Sequence, residues 1–121
     1  METVFEYGEY TFPLDLADAD TAERYEVAFA KMAEDEQALA KETKLGAAIR
    51  AYCAMFRRLF DGVFREGAGE SLIPRDNQDE ALAAYNAFLD FVTAQQAARQ
   101  RARAETLARF SPARAERTAK K

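Results

Sequence analysis

The feature that most constrains the fold is a wide apolar stripe that runs through residues 45–64. Charged residues keep mainly to the other side of the helix that this spacing describes: Arg50, Arg57, Arg58 and Asp61. The stripe itself recurs at intervals of three and four: Leu45, Ile49, Tyr52, Cys53, Phe56, Leu59, Phe60, Val63 and Phe64. Because so wide an apolar face needs neighbours on more than one side, we expect a central helix here.

The chain has the length and the apolar content of one globular domain. It has 121 residues, of which 49% are hydrophobic and 31% charged, so a packed core is expected. The single Cys53 has no internal disulfide partner, which is typical of a reducing compartment. Residues 1–10 lack the basic and apolar segments of a signal peptide, and no apolar stretch approaches ~20 residues. We therefore expect a soluble intracellular protein.

The N-terminal stretch "TVFEYGEYTFPLDL" predicts two short strands. Apolar and polar residues alternate on both sides of Gly8-Glu9, and Gly in the first position of a two-residue turn suits a β-hairpin. Pro13 has no amide proton, so it is expected at an edge. Since an isolated hairpin is marginally stable in water, this one should pack against the helices.

Two further helices are predicted. The first spans about residues 20–41, and Asp18 or Asp20 can cap it by accepting amide protons of its first turn. The last spans residues 78–110, with an apolar stripe that fades after Val92. Such a helix is ~50 Å long at 1.5 Å per residue, so its end should protrude. Pro112 would stop it, and residues 111–121 are expected to be disordered.

These elements predict an α+β, mostly helical fold: an N-terminal two-stranded β-hairpin on a three-helix domain, with a long C-terminal helix and a flexible basic tail. Residues 1–98 should form the compact domain, and residues 99–121 a basic helical extension and disordered tail. The charge divides at the same place. Residues 99–121 carry eight basic and two acidic residues, a net +6, whereas residues 1–98 carry nine basic and nineteen acidic residues, a net −10.

The glycine-containing stretch "LFDGVFREGAGESLIP" (residues 59–74) raises the question of a phosphate-binding loop. Gly62 and Gly67 have the gap of a Walker motif, but Ala68 and Gly69 stand where Lys and a hydroxyl residue are required. The stretch also follows a helix, whose terminal carbonyls repel phosphate. We expect a helix end here, with Gly67 or Gly69 left-handed and the apolar residues after it folded onto the core.

No residue pattern predicts catalysis, a cofactor or a metal site. Asp15, Asp18 and Asp20 lack the glycine and spacing of a calcium-binding loop, and helix capping accounts for them. The chain has no His, which removes the commonest general base and activator of a thiol such as Cys53. The sequence therefore predicts a protein that is not an enzyme and has no cofactor.

The basic extension is the candidate partner-binding region. A run of basic residues by itself favours a simple solvated tail; the functional alternative is that Leu107 and Phe110, three residues apart on a basic helix, anchor it in a partner's groove. Nucleic acid is disfavoured as a partner because the body is acidic and aromatic residues are not interleaved with the arginines. The candidate partner-binding residues are Arg99, Arg101, Arg103, Leu107 and Phe110.

The order of three segments resembles a family of small proteins from tailed bacteriophages and prophages, the tail assembly chaperones. These segments are "LADADTAERYEVAFAKM", "FRRLFDGVFREGAG" and "ALAAYNAFLDFV", and the resemblance covers about residues 5–95. The turn departs from the pattern of that family at two positions. Arg65 stands where a glycine is expected, and Ala68 where Thr or Ser is common.

The resemblance implies a non-enzymatic role in virion morphogenesis, in the cytoplasm of the bacterial host. The partners would be phage structural proteins, the tape-measure protein and the tail-tube protein, and a homo-oligomer is compatible with this role. An alternative is a small phage-encoded inhibitor of a host defence or nucleic-acid enzyme, whose acidic body mimics a phosphate backbone. The acidic residues are scattered rather than arranged in a row, which weighs against mimicry.

Overall fold

The computed structural model describes residues 1–110; the predicted disordered tail, residues 111–121, lies outside that range. The chain forms a mostly helical α+β fold with an N-terminal hairpin and a long C-terminal helix, as predicted. The elements are, in order, β1 (Val4–Tyr7), β2 (Tyr10–Pro13), α1 (Ala19–Leu39), α2 (Leu45–Val63), α3 (Ala68–Leu72) and α4 (Gln78–Phe110).

The hairpin pairs β1 with β2 in antiparallel register, with Phe5 opposite Phe12. The turn between the strands contains Gly8 at φ 61°, a left-handed conformation that glycine adopts without steric cost. Phe5 and Phe12 are both buried, because side chains of directly opposed residues point to the same face. That face lies against the helices, which confirms the predicted docking of the hairpin.

Helix α1 begins where the aspartates predict a cap. Asp18 is the N-cap residue, and its carboxylate accepts hydrogen bonds from Thr21 N at 3.1 Å and Thr21 Oγ1 at 2.9 Å. This satisfies an amide group that the first helical turn leaves without a partner. The helix ends at Leu39, two residues before the predicted end.

Helix α2 is the central helix, and it packs against α1, α3 and α4. Its apolar stripe is buried from Cys53 onward, whereas Leu45, at the start of the helix, is 76% exposed. Leu45 therefore differs from its predicted place in the core. Leu45 is exposed because it is the first residue of α2, next to the loop after α1, where no neighbouring element covers it. Helical spacing alone does not show where the neighbouring elements end.

The turn after α2 contains a fourth helix that the sequence pattern did not predict. Gly67, at φ 93°, precedes the five-residue helix α3. Such a helix is too short to show an apolar period. Leu72 and Ile73 are buried, as expected. Arg57, on α2, donates from Nε to Ile73 O at 2.8 Å and holds the end of this segment.

Helix α4 begins at Gln78, as predicted, and is helical up to Phe110, the last residue that the structure describes. Its first half supplies Phe88, which is fully buried and meets the rings of Phe5, Phe60 and Phe64 edge-on, at centroid distances of 5.5–5.8 Å. Edge-to-face packing of this kind adds to the stabilisation from burial. The core therefore holds α4 through its first half, and the helix continues past the body.

Candidate functional site

The end of α4 is a helical arm, residues 100–110, in which every residue is exposed. Leu107 is 60% exposed and Phe110 is 82% exposed. Helical spacing places Arg103, Leu107 and Phe110 on one face, because they lie at intervals of four and three. Because the arm exposes these two large apolar side chains to solvent, it forms a candidate binding surface.

The arm is helical for a local reason. Its Ala, Arg, Gln and Glu residues are strong helix formers. A helix of eleven residues would be marginal alone, because its first turn is costly to form. Here the packed part of α4 supplies that first turn, so the arm only has to extend it.

Arg99, at the base of the arm, is placed differently from the other predicted partner-binding residues. Its Nη2 donates to Asp15 Oδ1 at 2.9 Å and its Nη1 to Gln95 Oε1 at 3.5 Å. The side chain is only 18% exposed. Arg99 therefore joins α4 to the segment after the hairpin. Arg101, another of the predicted partner-binding residues, lies on the opposite side of the helix from Phe110 by helical spacing.

The direction of the arm is fixed by Gln95, which the sequence reasoning missed. Its Oε1 accepts from Leu16 N at 2.9 Å, and its Nε2 donates to Glu2 O at 2.9 Å and to Leu14 O at 2.8 Å. The side chain is 3% exposed. The sequence contains one sign of this role. Gln95 lies three residues after Val92, so helical spacing places this polar residue on the buried face of α4.

A second candidate surface is the α1–α2 groove, an open cleft of about 900 Å³ between these two helices. Its floor is apolar: Ala28, Met32 and Leu59 are buried, and Val27, on the rim, is 54% exposed. Gly62 allows the close approach of the helices, since a Cβ there would lie 3.1 Å from Ala28 Cβ. The groove was not predicted, although small residues on two adjacent helices are a signal for such an approach.

The rim of the α1–α2 groove is acidic. Arg58 Nε is 3.0 Å from Asp35 Oδ2, so this basic residue is neutralised within the rim. Three basic residues line the groove: Arg24, Lys31 and Arg58. Six carboxylates line it: Asp20, Glu23, Glu34, Asp35, Asp61 and Glu66. An apolar floor with an acidic rim suits a ligand with apolar and basic groups.

Cys53 lies in the core, and Tyr25 and Tyr85 are partly buried against it. Cys53 is fully buried, as predicted, and burial raises the pKa of its thiol. Burial likewise raises the pKa of Tyr25 and of Tyr85. Within residues 1–110, no three His, Cys, Asp or Glu residues are grouped as ligands for a metal ion.

None of the helices in residues 1–110 combines the length and the apolar character required to cross a membrane.

Comparison with known proteins gives one family. No curated protein and no solved structure matches the chain. The family that matches is described as "Family of unknown function (DUF6673)", and the match extends over residues 8–121. Because this range takes in β2 and all four helices, the chain belongs to the DUF6673 family.

Proposed function

We propose that the protein is a phage tail assembly chaperone-like binding protein, which binds tape-measure or tail-tube proteins during tail morphogenesis in the cytoplasm of the bacterial host. The observation that carries this proposal is the arm, with Leu107 60% exposed and Phe110 82% exposed on a protruding helix. The resemblance of residues 5–95 to tail assembly chaperones supplies the class of client. The role is one of binding and not of catalysis.

The arm suits the binding of long or aggregation-prone helical clients. Burying one of its large apolar side chains against a client is worth about 1.5–3 kcal/mol, and an ordered helix loses less conformational entropy on binding than a disordered segment. Arg103, on the same face, would steer the arm toward acidic positions of the client. We therefore expect the contact to be an amphipathic client helix with acidic flanks.

Affinity capture from an induced lysogen tests this function. The tagged full chain is compared with Leu107→Ser/Phe110→Ser, which removes the apolar face, and with Ala108→Ser, which changes an exposed arm residue on the opposite face. We expect the full chain and Ala108→Ser to recover tape-measure or tail-tube protein, and the double variant to recover little. Equal recovery by all three proteins would contradict the role of the arm.

The same experiment distinguishes the inhibitor alternative. The acidic residues around the α1–α2 groove are the observation in its favour, because they concentrate negative charge on one side of the body. A mimic of phosphate would recover a basic host enzyme, and salt would weaken that binding strongly. Recovery of such an enzyme without tail proteins would replace the chaperone proposal.

A further inference from the structure

We propose that the arm of one copy docks in the α1–α2 groove of a second copy, so that the protein assembles head to tail. The occupant of the groove is thus residues 100–110 of another molecule of the same chain. This inference does not rest on a client, because both surfaces belong to this chain.

The two surfaces match in length. The groove is lined on α1 from Asp20 to Asp35, a distance of about 22 Å at 1.5 Å per residue. The eleven described residues of the arm, 100–110, extend about 16 Å. This length of helix therefore fits along the groove.

The two surfaces are opposite in charge. The arm carries three arginines, Arg101, Arg103 and Arg109, against Glu105; Arg103 lies on the face of Leu107 and Phe110, and Arg101 lies on the far face. The groove carries six carboxylates against three basic residues, and one of these, Arg58, is paired with Asp35. Docking would bring an excess of positive charge against an excess of negative charge, which favours association and fixes its direction.

The apolar groups are also complementary. Val27 is 54% exposed on the rim of the groove, beside the floor formed by Ala28, Met32 and Leu59. In a docked arm, Leu107 and Phe110 would cover Val27 and this apolar floor. This would remove from water the two most exposed large apolar side chains of the arm.

The contact must form between copies. The arm continues α4 as one helix from Gln78 to Phe110, and Gln95 and Arg99 hold its base to the segment around Leu14–Leu16. Folding back onto the groove of the same chain would require this helix to break. Because the contact joins two different surfaces, a dimer still has one free arm and one free groove. The assembly therefore grows by adding further copies or closes as a ring.

Mixing two defective full-length variants tests the proposal. Leu107→Ser/Phe110→Ser damages the arm and leaves the groove intact, whereas Val27→Glu damages the groove and leaves the arm intact. The molar mass of each purified protein, and of an equimolar mixture, is measured by light scattering over a range of concentrations. Circular dichroism confirms that each variant is folded.

We expect the unchanged chain to gain mass with concentration, each variant alone to stay monomeric, and the mixture to form a dimer with one intact contact. Each substituted apolar side chain should weaken association about tenfold. The controls Ala108→Ser, on the far face of the arm, and Ala33→Glu, exposed on α1 outside the groove, should assemble like the unchanged chain.

Three results would overturn the proposal: an unchanged chain that stays monomeric at every concentration, variants that still assemble, or a mixture that fails to pair. High salt should also lower the mass of the unchanged assembly, because exposed charges are screened.

Discussion

At the scale of the residue, Gln95 joins parts of the chain that are far apart in sequence. It is the one polar residue among the buried side chains of residues 1–110, and its amide hydrogen-bonds to the backbones of Glu2, Leu14 and Leu16. Buried backbone groups need partners, and here one side chain satisfies three of them. Gln95 therefore couples the N-terminal segment to the helix that becomes the arm.

Replacing Gln95 by Ala should lower the free energy of unfolding by about 2–4 kcal/mol, because three backbone groups lose their partner. Gln96→Ala is the matched control, since Gln96 is the neighbouring exposed glutamine and its loss should change stability by less than about 0.5 kcal/mol. Urea unfolding of both variants measures the difference. Similar values for the two would contradict the role given to Gln95.

Gly69 is required by the close packing of α3 on α2. A Cβ at this position would lie 2.5 Å from Arg57 Cα and 2.7 Å from Arg57 C, and Gly69 N donates to Asp61 Oδ1 at 2.8 Å. We expect Gly69→Ala to destabilise the protein by about 3 kcal/mol, since backbone must move. Gly46→Ala, with open space around the added methyl, should be neutral or stabilise by up to about 1 kcal/mol. Chemical unfolding that ranks the two variants in the reverse order would contradict this account.

Arg65 makes a contact that the sequence does not indicate. Its guanidinium carbon lies 5.2 Å from the centre of the Phe12 ring. A cation over an aromatic face is favourable, so the residue contacts the hairpin. The sequence offers no sign of this contact, because residues 12 and 65 are far apart along the chain.

At the scale of the element, prediction succeeded where a local pattern determines the structure. Alternation around Gly8 predicted the hairpin, the aspartates predicted the start of α1, and helical spacing predicted α2 and the start of α4. It failed where tertiary packing decides. Helix α3 depends on the approach of Gly69 to Arg57, and the α1–α2 groove exists only once two helices are placed side by side.

The cap of α1 gives a pH dependence. Hydrogen bonds from the side chain and then the backbone of Thr21 lower the pKa of Asp18 below its ordinary value of 3.8. Since the folded state has the lower pKa, this stabilisation is complete above the unfolded value and disappears as the pH falls through the folded value.

We therefore expect Asp18→Ala to lower the melting temperature by a few degrees at neutral pH and to have little effect well below pH 3.8. Thermal unfolding followed by circular dichroism at both pH values measures this. Asp20→Ala is the comparison, because Asp20 lies inside the first turn and is not the cap. An equal loss at both pH values would show that ionisation of Asp18 does not stabilise the helix.

At the scale of the whole molecule, the structure joins a packed acidic body to an exposed basic arm through a short region of contacts. The boundary at residue 98 between the compact domain and the basic extension stays a prediction from the sequence. Arg99 contacts the body and is not part of the exposed arm, since Asp15 and Gln95 accept its hydrogen bonds. The predicted partner-binding residues on the exposed arm are Arg101, Arg103, Leu107 and Phe110.

A chain that ends at residue 98 should still fold cooperatively, because the large buried side chains of residues 1–110 all precede that point. It should be less stable than a chain that ends at residue 103 by about 0.5–1 kcal/mol, through loss of the partly exposed Arg99–Asp15 pair. Urea unfolding of both truncations tests this. Loss of a cooperative transition in the shorter chain would contradict the boundary.

The central claim is that the arm binds the client, and the most direct measurement is calorimetric titration of the recovered tape-measure or tail-tube protein with the purified chain. Titration below the concentration of self-assembly keeps the arm accessible. We predict measurable affinity for the full chain and for Ala108→Ser, and a loss of about 100-fold for Leu107→Ser/Phe110→Ser. Unchanged affinity in the double variant, at equal folding, would contradict the claim.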